Sequence, residues 1–105
     1  MKIELEWLSE QIYNATTQNR VCRLHMSGEP LGRTVHPYGI CKTSGGKIVM
    51  VVWQSFGFTK PGGKEGYRNL LLEQIDDFEI SADHFPKRTD FNPADSQYKE
   101  WVFHI

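Results

Sequence analysis

The sequence has no long apolar run, few cysteines and almost no net charge. A membrane-spanning helix needs roughly 20 apolar residues, and no run approaches that length. The first ten residues, MKIELEWLSE, carry acids where a secretory signal would be basic and then apolar. We therefore expect a cytoplasmic protein with no membrane partner. Two cysteines are too few for a disulfide-rich scaffold. The chain has 12 Lys plus Arg against 13 Asp plus Glu, which does not indicate a strongly basic nucleic-acid binder but does not exclude a local basic patch.

Motifs for metal binding, phosphate binding and catalysis are also missing. The chain lacks CxxC and HxxxH pairs, so we predict no metal site from the candidate ligands, which are Cys22, His25, His36, Cys41, His84 and His104. The segment GFTKPGGK (residues 57–64) departs from a phosphate-binding loop, because Gly63 stands in the lysine position. No serine lies in a GxSxG setting. We expect no cofactor and no enzyme, and a hydrolase using Cys41 or a histidine is the least favoured alternative. Both cysteines are predicted to be small buried hydrophobes.

What is present is a strand pair at the centre of a single domain, residues 1–105. Residues 33–42 and 47–54 read as strands joined by the turn TSGG. The second strand, with IVMVVW at residues 48–53, is apolar on both faces and is therefore predicted to be central. Pro37 cannot donate to a sheet ladder, so it predicts a bulge or an edge segment in the first strand.

The remaining elements are predicted to pack around this pair. Residues 3–17 show a helical apolar stripe, residues 20–26 and 67–72 read as strands, and residues 75–80 read as a final strand. Phe85 and Phe91 are expected to anchor an irregular segment. Asn92 before Pro93 is typical of a helix start, so we predict a short helix at the end, with a strand over residues 98–105 as the alternative. The fold class is α+β, a small antiparallel Sm-like or SH3-like β-barrel with an N-terminal helix.

Arginines alternate with aromatic residues along successive predicted strands. The candidates for a ligand site are Arg33, His36, Tyr38, Trp53 and Arg68. Arginine forks and aromatic rings suit phosphate and base recognition. The alternative is ordinary: surface arginines lie on the sheet and the aromatic residues fill the core. Strand parity places Arg33 and His36 on one face only if the strand bulges near Pro37.

The sequence resembles the WYL domain family over most of its length. RTVHPYG (residues 33–39) is similar to the family's R-x-V-x-P-x-G/L segment and is the most specific part of the resemblance. YRNLLLEQI (residues 67–75) is similar to its R-x-F-x-L-D-R-I strand, with Gln74 in place of the arginine. The family's Trp-Tyr-Leu triplet falls on Ile48, Val49 and Met50 here. The first helix and strand and parts of residues 85–92 add weaker similarity.

The resemblance implies a small Sm-like β-barrel and a regulatory module that binds nucleic acid or a nucleotide. It also implies a role in transcription regulation or phage defence, beside a partner protein that carries a DNA-binding domain. On this basis we expect Arg33 and Arg68 to contact an anion, His36 and Tyr38 to orient the ligand and Trp53 to stack on it. The alternative is a protein-interaction or homo-oligomerisation domain that uses Phe56, Phe58 and the exposed face of the first helix.

Overall fold

The chain builds one helix and an antiparallel sheet in the part that the structure describes. The computed structural model describes residues 3–57 and 62–105. These residues form a helix and six strands: α1 Leu5–Thr17, β1 Arg20–Met26, β2 Arg33–Thr43, β3 Ile48–Phe56, β4 Gly66–Leu71, β5 Ile75–His84 and β6 Tyr98–His104. A 3₁₀ turn, Leu72–Gln74, joins β4 to β5. Helix α1 ends at Thr17, and Asn19 two residues later adopts a positive φ of 53°, a conformation that asparagine tolerates at the end of a helix.

The sheet follows the order β4-β3-β2-β1-β5, and β6 pairs with β2 outside that path. A small α+β domain with an N-terminal helix and an antiparallel sheet is therefore confirmed. Within residues 3–57 and 62–105 the sheet is not closed, and β4 and β5 lie at its two ends. The central position of β3 is also confirmed, because Val49–Val52 are buried on both faces of the sheet.

Two hydrophobic cores lie on opposite faces of the sheet. Helix α1 packs Leu8, Ile12 and Ala15 on the first core, which includes Met50 and Val52 of β3. The second core collects Val49 and Val51 of β3 with a group of aromatic rings. Cys22 lies in the first core and Cys41 in the second, and both are unpaired and buried, as predicted.

The predicted C-terminal helix is wrong. Asn92 caps only a turn. Its side-chain oxygen accepts a hydrogen bond from the Ala94 N–H at 3.1 Å, and its backbone carbonyl accepts one from the Asp95 N–H. The chain then extends as β6 along Gly39–Thr43 of β2. Strand β1 pairs with only residues 33–35 of β2, so the rest of that edge is open to β6. This long-range pairing satisfies more backbone groups than a short isolated helix could.

Strand β2 bulges where it passes from one partner to the next. Pro37 pairs with Val52 and Gly39 with Val51, so Tyr38 is the extra residue. The bulge predicted from Pro37 is therefore confirmed. Gly39 has φ of 153°, and a Cβ there would collide with the Phe103 carbonyl oxygen and lie 2.8 Å from the Cα of His104. Only glycine lets β6 approach β2 this closely.

We predict that Gly39→Ala lowers the free energy of unfolding by at least about 2 kcal/mol, because positive φ costs about 1–3 kcal/mol and the collision about 1–3 kcal/mol more. Urea denaturation followed by fluorescence measures this. The matched control is Gly45→Ala, since a Cβ at Gly45 has nothing within 4 Å, and it should change stability by less than about 0.5 kcal/mol. Equal stability of the two variants would contradict the role of Gly39.

Candidate ligand-binding face

Residues 85–97, here called the strap, cross the face of the sheet opposite α1. Phe85 and Phe91 are 4% and 9% exposed and belong to the second core, so their prediction as anchors is confirmed. The Phe91 ring lies 4.8 Å from the Tyr38 ring and 5.9 Å from the Trp101 ring. The strap thereby covers this face of the sheet, and its polar residues border the solvent.

Strand register places three ring-bearing residues in a row beside the strap. His36 of β2 pairs with Trp53 of β3, and Trp53 pairs with Tyr67 of β4. Directly opposed residues share a face, so the three side chains are neighbours. The Tyr67 and Trp53 rings meet edge to face at 5.0 Å, and the His36 ring stacks on Phe85 at 4.7 Å with 7° between the planes. All three side chains are half-buried.

Arg88 of the strap covers Trp53. Its guanidinium carbon lies 3.6 Å from the centre of the indole ring, which is a close cation–π contact. The guanidinium also donates to both oxygens of Asp90, Nε to Oδ1 and Nη2 to Oδ2, each at 3.0 Å. The Tyr67 hydroxyl donates to Oδ1 of the same carboxylate at 2.6 Å. Arg88, Asp90, Trp53 and Tyr67 therefore form one connected surface network.

The charges of this network are stable at neutral pH. Hydrogen bonds from Arg88 and Tyr67 hold the pKa of Asp90 below its usual value, and the bond to Asp90 raises the pKa of Arg88. Burial, together with the Asp90 carboxylate, raises the pKa of Tyr67, so its hydroxyl stays a donor. Burial lowers the pKa of His36 against the opposing effect of Glu65, which favours a neutral imidazole at pH 7.

Three of the five predicted site residues come together on this face. Trp53 and His36 contribute rings to it, and Tyr38 lies directly beneath. Tyr38 is fully buried, and its hydroxyl accepts a hydrogen bond from the backbone N–H of Arg88 at 2.9 Å. Tyr38 therefore cannot touch a ligand while the strap is in place. It positions the residue that covers Trp53.

Arg33 lies on the other face of the sheet. It shares the side of β2 that carries Val35, a member of the first core. Its guanidinium binds both carboxylate oxygens of Glu29, at 3.0 and 2.6 Å, and the side-chain oxygen of Gln54 at 3.0 Å. Its side chain is only 15% exposed. The bulge at Tyr38 comes after His36 in the chain, so it does not bring Arg33 to the face that His36 occupies.

Arg68 is likewise separated from Trp53. It pairs with Val52 and shares the side of β4 that carries Leu70, a member of the first core. Its guanidinium donates to the carbonyl oxygens of Tyr67 at 2.9 Å and Lys64 at 2.8 Å. This places its charge at the start of β4. The structure thus brings His36, Tyr38 and Trp53 together and leaves Arg33 and Arg68 away from them.

Sequence reasoning missed Arg88, Asp90 and Tyr67 as members of the site. One signal was available, because two phenylalanines expected to be anchors flank Arg88 and Asp90. A segment anchored at Phe85 and Phe91 must lie on an apolar surface, and a charged residue between the anchors then borders that surface. The identity of the ring under Arg88 depends on strand register, which the local sequence does not specify.

The thiols and the histidines do not form a reactive or metal-binding cluster in the described ranges. No group of three or more His, Cys, Asp or Glu among residues 3–57 and 62–105 is arranged to hold a metal ion. Burial raises the pKa of the Cys22 thiol to about 12, and it also raises the pKa of Cys41. A protonated buried thiol is a poor nucleophile.

Comparison of the chain with models of protein families, with curated proteins and with solved structures finds no match. The resemblance to WYL domains therefore stays a prediction. Within the described residues, no helix is both long enough and apolar enough to cross a membrane.

Proposed function

We propose that the protein is a non-catalytic binding module for a planar anionic ligand, which is a single-stranded nucleic acid or a nucleotide. The observation that carries this proposal is the stack of Arg88 on Trp53 at 3.6 Å, on a surface that also presents His36 and Tyr67. Aromatic rings and guanidinium planes are the groups on which unpaired bases stack in single-strand recognition. The Arg88 side chain is 40% exposed, so a ligand can reach it.

Positive groups at the border of this face support an anionic ligand. Lys87 precedes Arg88 and is exposed, and Lys64 is exposed at the entry to β4, where Arg68 binds its carbonyl. The chain as a whole has a formal charge of only −1, so a local arrangement of cations has to provide the attraction. Of the predicted anion contacts, Arg33 is occupied by Glu29, and the guanidinium of Arg68 is bound to the carbonyl oxygens of Lys64 and Tyr67, away from Trp53.

We further propose that the domain is a divergent WYL-like module with an Sm-like arrangement of its strands. The N-terminal helix and the antiparallel meander support this proposal, as does the RTVHPYG segment, which forms the first seven residues of β2 and carries its bulge. Such a module would serve transcription regulation or phage defence together with a protein partner that carries a DNA-binding domain. The raised pKa of both thiols favours binding over thiol chemistry.

Arg88→Gln should weaken binding of a short oligothymidylate at least about fivefold, because base stacking contributes roughly 1–3 kcal/mol per base and the variant removes the stacked plane. Intrinsic tryptophan fluorescence, titrated at low and high salt, measures the affinity. The matched control is Arg23→Gln, another exposed arginine paired with an acid, which should bind like the wild type.

Equal affinities of the Arg88 and Arg23 variants would exclude the stack as the binding element. An absence of saturable binding by the wild-type protein at micromolar concentration would contradict the proposed function itself.

A second candidate function is protein–protein contact, and Phe56 is the observation that favours it. Phe56 is 69% exposed at the end of β3, and Leu31 is 50% exposed. The two lie close together in the fold, because Gly57 packs against the backbone of Gly32 and Arg33. Trp7 adds an exposed ring on α1, at 44%. Phe58, which was predicted together with Phe56 to form this surface, lies outside the described residues.

This candidate predicts that the wild-type chain self-associates with rising concentration and that Phe56→Ser shifts it to a monomer, because the exposed ring is lost from the contact. Light scattering over a concentration series measures the mass. Val102→Ser is the control, since Val102 is 64% exposed on β6. A wild-type chain that stays monomeric throughout would count against self-association through Phe56.

A further inference from the structure

We propose that Asp90 sets the ligand specificity of the face by holding the fork of Arg88, so that the site recognises a base by stacking and discriminates against phosphate. This inference rests on the proposed function. It adds which part of a nucleotide the site recognises, and it assigns a role to Asp90.

The geometry of the ion pair between Arg88 and Asp90 disfavours phosphate. An arginine binds phosphate best through two parallel N–H bonds from adjacent nitrogens of its fork. In Arg88 one such edge is formed by Nε and Nη2, and both donate to Asp90 at 3.0 Å. Asp90 therefore occupies one of the two edges that a phosphate could use, and its negative charge repels a phosphate that approaches the other edge, formed by Nη1 and Nη2.

The guanidinium of Arg88 is fixed as a flat platform. Trp53 supports one face of the plane at 3.6 Å, and the side chain of Arg88 is still 40% exposed. The Tyr67 hydroxyl holds the Asp90 carboxylate at 2.6 Å, and the Tyr38 hydroxyl holds the backbone N–H of Arg88 at 2.9 Å. A platform that is already ordered loses little freedom when a base stacks on it.

The net charge of the stacking surface also disfavours phosphate. The pair of Arg88 and Asp90 is neutral as a unit, and the neighbouring His36 is held towards its neutral form by burial. The stacking surface therefore contributes little to long-range attraction of phosphates. Binding at this surface should depend on the base more than on salt, whereas phosphate recognition by an arginine adds a term that salt weakens.

The experiment compares two labelled ligands of equal length and equal phosphate number, oligothymidylate and the corresponding abasic oligonucleotide, by fluorescence anisotropy. We expect the wild-type protein to bind the abasic strand at least about tenfold more weakly, since stacking is lost. Asp90→Asn removes the competing charge and should strengthen abasic binding several-fold. It should also steepen the salt dependence by about 0.7 in log–log slope, the value for one further phosphate on a single strand.

Asp83→Asn, a change at an exposed acid of β5, is the control and should leave both affinities unchanged. Near-ultraviolet circular dichroism checks that each variant is folded. The comparison of the two strands on the wild-type protein does not depend on the folding of any variant. Equal wild-type affinity for the two strands would overturn the inference while leaving nucleic-acid binding intact. Discrimination by the wild type without any gain in Asp90→Asn would overturn the role of Asp90. Failure of the wild type to bind either strand would instead overturn the proposed function, and the inference with it.

Discussion

Strand β2 changes its pairing partner along its length, and the other elements are arranged around this change. This strand pairs with β3 along one edge, and its other edge pairs first with β1 and then with β6. The transition needs a bulge at Tyr38 and a residue without a Cβ at Gly39, because the backbone of β6 occupies the space where a Cβ would lie. The bulge also shifts the alternation of β2, so Tyr38 and Cys41 both face the second core while Ile40 faces the first. A single glycine therefore permits both the sixth strand and the filling of two cores.

The candidate binding face follows from this arrangement. Tyr38, the bulged residue, lies in the aromatic cluster, where its hydroxyl accepts a hydrogen bond from the backbone N–H of Arg88. Two phenylalanines of the strap pack on the same ring, and the strap then brings the guanidinium of Arg88 over Trp53. Core packing thus supports a polar network at the surface, in which buried residues fix the positions of exposed ones. A ligand site built on such support is ordered before the ligand arrives.

Local patterns predicted the elements well and the assembly less well. The alternation of Cys22, Leu24 and Met26, the apolar run of β3 and the asparagine after α1 are local signals, and the structure agrees with each. The C-terminal strand was only the alternative prediction, because its pairing partner lies about sixty residues earlier, whereas the Asn92–Pro93 signal for a helix is local and strong. The spatial grouping of the candidate residues was only partly predictable, for a similar reason. His36 and Trp53 meet through strand pairing between neighbours, but the separation of Arg33 from them depends on where the bulge falls, and the approach of Arg88 depends on the path of the strap.

Ligand binding at Trp53 can be observed directly by titrating the isotope-labelled protein with oligothymidylate and recording two-dimensional proton–nitrogen NMR spectra of the tryptophan side chains. The chain has three indole N–H groups, and they report on different surfaces. Trp53 lies under Arg88, Trp7 is exposed on α1, and the indole of Trp101 donates to the Pro93 carbonyl at 2.8 Å. We expect a saturable shift of the Trp53 indole signal, with the Trp7 signal unchanged. A shift of Trp7 alone, or no shift at a ligand concentration that saturates binding, would contradict ligand binding at the face formed by Arg88 and Trp53.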